Sequence, residues 1–418
     1  MKTQQKFKEK QKEMRALVLG GAGAVCQETT RDLSRFSDFE EIMVADYNVA
    51  TAQKLVDSLK DKRLRVIQFN AEDYQSMLEL FPQFDIVING LPFKYDYPVN
   101  KACVEVGVDG LDLSSDDPQF ALHRAALEKE MLFIPGVGAT PGVTNMMAAQ
   151  GVTHLDRVEE IQVNFAAFRC LAPAPGLMKT TIWEFHPNQE ERAYYEGGEF
   201  YPVPPFAGEK IVDFPEPIGE QKVYVVPHDE TYTFSNSFRS MGLRRVSTRG
   251  CFPPQVMRLM KAMLEAGLFS EEPVEILERQ TNPLAVMEEL LLAIPISQEN
   301  PIWAYGLIVE LWGHCGAQQV KATYWNTHPP MEKWGGKAAY YKNVGIPLSI
   351  GAQMAAKGQT RGRGVLPPEQ ALDPLIFFAE LARRDIIIHE KLEEYRVMDG
   401  WRAYNPTDFD LFAPRPKA

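Results

Sequence analysis

Residues 15–26 read Arg-Ala-Leu-Val-Leu-Gly-Gly-Ala-Gly-Ala-Val-Cys, an apolar run, a glycine-dense turn and the opening of a helical stretch that continues to about Arg35. A buried strand that passes through such a turn into a helix commits the chain to a parallel βα unit. The spacing is G-x-G-x-x-C over Gly21, Gly23 and Cys26. Gly21 suits the tight turn, and Gly23 lets the turn Ala22, Gly23, Ala24, Val25 bring its backbone close to a pyrophosphate. The helix N-terminus favours that negative charge. Cys26 stands where a third small residue keeps helix and strand close. A second strand, Ile42–Ala45, ends at Asp46, 23 residues past Gly23. A carboxylate there accepts hydrogen bonds from a ribose, although an Asp at a strand end is also an ordinary turn residue. Tyr47, Asn48 and Val49 supply no Arg for a 2′-phosphate, so the pattern favours NAD over NADP.

The alternation continues. Helical patterns at 49–60, 74–81, 97–106 and 117–130 separate strand patterns at 64–69, 85–88, 110–113 and 131–135. The fold class expected is α/β, a Rossmann-type doubly wound parallel sheet. Asn89, Gly90 and Leu91 follow the fourth strand, where ligands of such sheets lie, and Asp112 falls at the end of the fifth; these four complete the expected dinucleotide contacts. A bare strand-to-helix turn at 89–91 is the simpler alternative. The Gly/Pro-dense stretch 136–142 breaks the rhythm. The expected organisation is a flexible tail at 1–13, a dinucleotide-binding domain at 14–145, an α+β substrate and dimerisation domain at 146–340 and a C-terminal helical segment at 341–418. Strands are expected at 158–168 and 223–226, and helices at 254–266, 284–293, 345–357 and 372–395. Residues 173–217 hold eight prolines and read as a loop-rich excursion.

A net charge of −12 disfavours nucleic acid or an anionic membrane as the partner, since both require a clustered positive field. A small molecule is expected instead. The five cysteines stand singly and the seven histidines form no H-x-x-x-H pair, so no metal is expected. His228 and Asp229 are neighbours, but in a strand they would point to opposite faces. No apolar run reaches the roughly 18–20 residues of a membrane span, and no signal-peptide pattern opens the chain, so a cytoplasmic protein is expected.

Several strings resemble one family: Gly-Gly-Ala-Gly-Ala-Val at 20–25, Asp-Ile-Val-Ile-Asn-Gly-Leu-Pro at 85–92, Lys-Ala-Cys-Val-Glu-Val-Gly-Val at 101–108 and Asp-Leu-Ser at 112–114. The longest is Pro-Gly-Val-Gly-Ala-Thr-Pro-Gly-Val-Thr-Asn at 135–145. The similarity resumes at 236–241, at Arg249-Gly250 and at 363–369. Together they look like the saccharopine dehydrogenase family, which includes saccharopine reductase and lysine 6-dehydrogenase. The resemblance implies a Rossmann domain, a mixed-sheet domain that holds substrate and builds a homodimer, and a C-terminal segment that packs back near the first domain. It also implies oxidoreduction at the carbon–nitrogen bond of an amino acid. Thr140 departs from the Asp that saccharopine reductases carry before Pro-Gly, and residues 183–217 have no counterpart.

Amine oxidation needs a held substrate carboxylate, a neutral amine and a proton acceptor. Arg239 and Arg249, within the family-like strings, and Arg245 are the candidate carboxylate clamps; a solvated surface charge or an ion pair is the alternative for each, above all for Arg245 next to Arg244. Lys94 and Tyr95 follow the fourth strand on the nicotinamide side; Lys94 can act as acid/base if burial lowers its pKa, the alternative being that it is simply exposed. Asn145, near the start of a helix, either orients the ligand or caps that helix. The function expected is an NAD-dependent dehydrogenase of the saccharopine or lysine type. The alternatives are reductive condensation of an amine with a carbonyl, as in polyamine or opine-like synthesis, and a non-catalytic NAD-binding sensor.

Overall fold

The computed structural model describes residues 14–115, 117–276, 278–294 and 302–395. The expected tail at 1–13 and the end of the chain after Tyr395 lie outside the described residues. The first domain alternates β1 (Arg15–Leu19), α1 (Cys26–Phe36), β2 (Glu41–Asp46), α2 (Val49–Leu59), β3 (Leu64–Gln68), α3 (Tyr74–Leu80), β4 (Ile86–Asn89), α4 (Asp96–Val106) and β5 (Asp109–Leu111). Two short helices, α5 (Asp117–Phe120) and α6 (His123–Glu128), replace the single helix expected at 117–130 and lead to β6 (Leu132–Ile134). The strands are parallel, in the order β6-β5-β4-β1-β2-β3. Leu17, Val18 and Leu19 are fully buried because helices cover both faces, as a parallel sheet requires. Leu17 and Leu19 pack toward Met77 and Cys103 of α3 and α4, while Ala16 and Val18 pack toward Leu33 of α1.

Helix α7 (Val143–Gly151) crosses to the second domain. There the elements are β7 (Arg157–Phe168), α8 (Pro175–Phe185), β8 (Ala193–Glu196), β9 (Glu199–Pro202), β10 (Lys210–Phe214), β11 (Gly219–Val225), α9 (Asp229–Ser237) and β12 (Arg245–Cys251). They continue through α10 (Pro254–Glu265), β13 (Val274–Ile276), β14 (Arg279–Thr281), α11 (Pro283–Ala293), β15 (Ala304–Cys315) and β16 (Gln318–Thr327). The prolines of 173–217 therefore punctuate a helix and three strands rather than a loop. A nine-stranded mixed sheet runs β10-β11-β12-β7-β15-β16 and onward, with β8 attached to β12 and β9 to β8.

This sheet has two unlike faces. Ile161, Val163 and Phe165 alternate with Glu160, Gln162 and Asn164 along β7, so one face is apolar and the other polar. The apolar, inner face receives α7. An added Cβ on Gly151 would stand 2.5 Å from Leu311 Cδ1, which shows how closely helix and strand approach. Over part of the outer face the β10–β11 hairpin lays Val212, Phe214 and Ile218 on Ala304 and Ile308.

The chain then returns to the first domain through α12 (Lys337–Ala356), β17 (Gly364–Val365), α13 (Pro368–Ala371) and α14 (Pro374–Ala382). Helix α12 lies on α1, where Thr29 donates to the Gly345 carbonyl at 2.8 Å. Strand β17 pairs in parallel with β6 and extends the first sheet to seven strands. Buried Asp32 of α1 accepts from Arg384 Nε and Ser349 Oγ, both at 2.7 Å. The helix expected at 372–395 ends early. Asp385 adopts a left-handed φ of 66°, and the β-branched run Ile386, Ile387, Ile388 starts β18 (Ile387–Tyr395), which pairs with β16. Among the described residues no helix is long and apolar enough to cross a membrane.

Candidate functional site between the two domains

The dinucleotide edge forms where expected, with some roles exchanged. The left-handed turn residue is Gly20, φ 64°, not Gly21. Gly21 is required for packing, since a Cβ there would stand 3.0 Å from Val18, Thr30 and Val44 side chains. Gly23 faces outward, and the N–H groups of Ala24 and Val25, at the start of α1, have no acceptor among the described residues. Such orphan donors at a helix start suit a phosphate. Asp46 stands beside them at the end of β2. Its carboxylate accepts from Asn48 N at 2.9 Å and from Ala22 N at 3.2 Å, so it already bridges the two segments that a ribose would touch. These residues fit a pyridine dinucleotide.

The remaining expected contacts are largely structural. A Cβ on Gly90 would fall 2.2 Å from Cys26 Sγ, so this glycine lets α1 close on β4 rather than admitting a ligand. Buried Asn89 donates to Asp96 Oδ1 at 2.8 Å and accepts from Leu91 N at 3.1 Å, which fixes the turn. Asp112, fully buried, accepts from Gln119 Nε2 at 2.6 Å and Gly136 N at 3.0 Å, tying β5 to the 136–142 loop. Asn145 accepts from Gly142 N at 2.7 Å and donates to Glu369 at 2.8 Å; it caps α7 and links it to α13. Lys94 lies exposed, paired with Glu72 at 2.9 Å, while Tyr95 donates to the same carboxylate. Hydrogen bonds to Tyr95 and Glu72 hold the Lys94 ammonium above its ordinary range, opposite to what an acid/base would need.

The three arginines also stand elsewhere. Arg249 pairs in register with Asn164, and Arg245 with Glu160, so both project from the outer face. Arg249 is buried there, donating to Gly208 O at 2.9 Å and Ser247 Oγ at 2.6 Å, and Arg245 pairs with Glu196 at 2.5 Å. Exposed Arg239 follows the far end of α9, roughly 13 Å along the helix from its start at 1.5 Å per residue.

What the two domains do bring together is the start of α9. His228 is the residue before that helix, not part of a strand, so it meets Glu230 two positions on: Nδ1 lies 2.9 Å from Glu230 Oε2. The other oxygen of Glu230 accepts from Thr140 and, at 2.7 Å, from Thr144, both at the junction with the first domain. Asp229 Oδ2 accepts from Ser115 N at 2.8 Å, beyond the end of β5. The cluster thus docks at the carboxyl edge of the parallel sheet, the position where open α/β sheets bind ligands. Phe165, on the inner face of β7, holds the His228 ring with centroids 4.9 Å apart.

Two further charges lie next to it. Arg169 continues the inward-facing set of β7, is 1% exposed, and stands over the rings of Phe252 and Tyr340 at 4.9 and 5.4 Å. It donates to the carbonyls of Cys170, Leu171 and Leu177 and to Thr181, yet its Nε has no partner, and it forms no ion pair among the described residues. Buried Glu184 of α8 likewise leaves Oε2 without a partner. Burial raises its carboxyl to about 7, against the pull of His228 and Arg169. Burial also raises Asp229 to about 7, although His228 opposes it. Burial alone would raise Glu230, but the charge and hydrogen bond of His228 bring it below the usual carboxylate range. No local pattern marks this cluster; its residues come from β7, α8, the start of α9 with the residue before it, and the 136–145 stretch.

A doubly wound sheet with a dinucleotide edge, facing a mixed sheet across a charged junction, defines a two-domain oxidoreductase of the pyridine-nucleotide class. The chain matches the saccharopine dehydrogenase NADP binding domain over residues 16–134 and the saccharopine dehydrogenase C-terminal domain over residues 138–387. It belongs to the saccharopine dehydrogenase family. It is 22% identical over 399 residues, 90% of this chain and 98% of the other, to a carboxyaminopropylagmatine dehydrogenase of Synechocystis. The apo saccharopine dehydrogenase (L-Glu forming) of Saccharomyces cerevisiae superposes with a TM-score of 0.67 at 14% identity, covering 91% of this chain and all of that one. At that identity the likeness shows the shared fold.

Proposed function

We propose that this oxidoreductase uses NAD to interconvert an amine and an imine at the carbon–nitrogen bond of an amino-acid-derived substrate. The observation that carries the reading is a buried cation and a buried carboxylate without ion-pair partners among the described residues, Arg169 and Glu184, near His228 where the domains meet. Leaving such groups unpaired is costly unless a ligand completes them. Arg169 suits a substrate carboxylate, and Glu184 with Asp229 suits a cationic nitrogen. When bound, the nicotinamide supplies the hydride acceptor. Asp46 supports NAD over NADP, because a 2′-phosphate would meet its carboxylate as a like charge.

A second reading is favoured by the same acidic floor. Two buried carboxylates, Glu184 and Asp229, suit a substrate with more than one cationic nitrogen, and the Synechocystis relative is named for carboxyaminopropylagmatine. On that reading the enzyme joins an amine to a carbonyl and reduces the product, the same chemistry in reverse. Following NADH absorbance in both directions, with NAD and NADP and a panel of saccharopine, lysine and carboxyaminopropylagmatine, separates them. Turnover of one compound with NAD is the expected result. Bound nucleotide with no turnover of any amine in either direction would sink the proposal and favour a sensor.

A further inference from the structure

The geometry points to His228 as the proton carrier for the reacting nitrogen, a role that rests on the function proposed above. In the reducing direction the Nε2–H bond breaks and its electron pair stays on the imidazole. The lone pair of the imine nitrogen forms the new N–H bond, leaving a cationic C=N that accepts a hydride more readily. In the oxidising direction the same cationic C=N, formed when a neutral amine loses its hydride, returns the proton to Nε2 and becomes a neutral imine. No electrons change hands in either proton step.

Three observations support this. Nδ1 is held by Glu230 at 2.9 Å, which fixes the ring so that Nε2, without a hydrogen bond among the described residues, is the nitrogen left for a ligand. The side chain is 12% exposed, so it is desolvated without being sealed. Glu230 is itself held by Thr140 and Thr144, so the orientation of the imidazole is set from the nucleotide-binding side of the junction. Glu230 is thus a positioning residue, of the kind that orients a catalytic histidine.

The groups around the ring decide which way the proton tends to move. Glu230 and Asp229 face it from its own turn and Glu184 from α8, with Arg169 of β7 and Tyr305 of β15 close behind. Burial alone would lower the imidazole, but the charge and hydrogen bond of Glu230, aided by Glu184 and Asp229, carry it up to about 9. At neutral pH the ring therefore holds its proton and is set to donate, which suits reduction. Oxidation gains as the pH rises through that value.

The test uses the full chain and the variants His228→Asn and Glu230→Gln. NMR of isotope-labelled histidine should show one imidazole titrating near pH 9 that is missing from H228N and moves down in E230Q. NADH binding, read by its fluorescence, should stay within about twofold in both, while reductive kcat falls about 10²–10⁴-fold in H228N. E230Q should lose less and shift the alkaline limb of the kcat profile down by about one pH unit or more. H228N turnover within about threefold of wild type, with the same pH profile, overturns the assignment. Should H228N fail to fold, an unmoved alkaline limb in E230Q overturns it instead. A wild type that binds NADH but turns over no amine removes the function reading and this inference together, whereas an active wild type with an unaffected H228N removes this inference alone.

Discussion

The two faces of the nine-stranded sheet both bury charge, and they do so differently. On the outer face Lys210 and Lys321 converge on Glu310 at 2.5 and 2.7 Å, and Arg245 pairs with Glu196. On the inner face Arg169 and Glu184 have no ion-pair partner, and His228 Nε2 no hydrogen bond, among the described residues. Charge paired within the protein belongs to the folded scaffold, whereas a buried carboxylate with an unpartnered oxygen near His228 supports the ligand site proposed above. The contrast also shows why arginine count is a poor guide to the site. Arg249 and Arg169 are both buried and hydrogen-bonded, but Arg249 projects from the outer face, whereas Arg169 lies with Glu184 near His228.

Substitutions on each face can break this contrast. The largest effect is expected from Glu310→Ala, which strands two lysines and should cost about 3 kcal/mol of stability in urea unfolding. A loss within the range of a surface ion pair would erase the distinction. Glu184→Gln should behave in the opposite way: stability unchanged or slightly raised, with kcat/KM for a cationic substrate down about 10²-fold. A destabilised E184Q with normal kinetics would return Glu184 to the scaffold. Asp46→Ala sharpens the nucleotide side, since the loss of one charged hydrogen-bond acceptor should weaken NAD about tenfold and narrow its preference over NADP. Unchanged selectivity in binding titrations would remove Asp46 from the ribose site. The smallest effect is expected from Arg239→Ala, within about 0.5 kcal/mol of wild-type stability and with substrate KM unaltered. A raised KM would restore it as a substrate ligand.

The first domain was legible because its signals are local. The strand, turn, helix and Asp46 lie within one βαβ unit, and parallel strands buried on both faces announce themselves as continuous apolar runs. The two domains, the mixed sheet and the family follow from ordered strings. The candidate site was not legible, for three physical reasons. Alternation along β12 tells that Arg245 and Arg249 share a face, but not that this face points away from the first domain. His228 reads as a strand residue beside Asp229, and only its place before α9 brings it to Glu230 instead. Arg169 and Glu184 meet His228 through tertiary packing, which no spacing encodes. The glycine readings failed more subtly. Gly21 and Gly90 are small because neighbouring side chains crowd them, a cause indistinguishable in sequence from ligand approach.

The return of the chain through α12 and β17 has a consequence for how this protein is made. Synthesis delivers the first six strands early, yet the outer edge of β6 stays open until Gly364–Val365 has been translated. The buried flank of α1, with Asp32, likewise waits for Ser349 and Arg384. A nascent chain halted between the domains would carry a bare strand edge and an uncovered carboxylate, the features that recruit wrong partners. Maturation of the nucleotide-binding half is therefore coupled to completion of the polypeptide, and a fragment ending near residue 145 should be captured by chaperones rather than accumulate as a small independent binder.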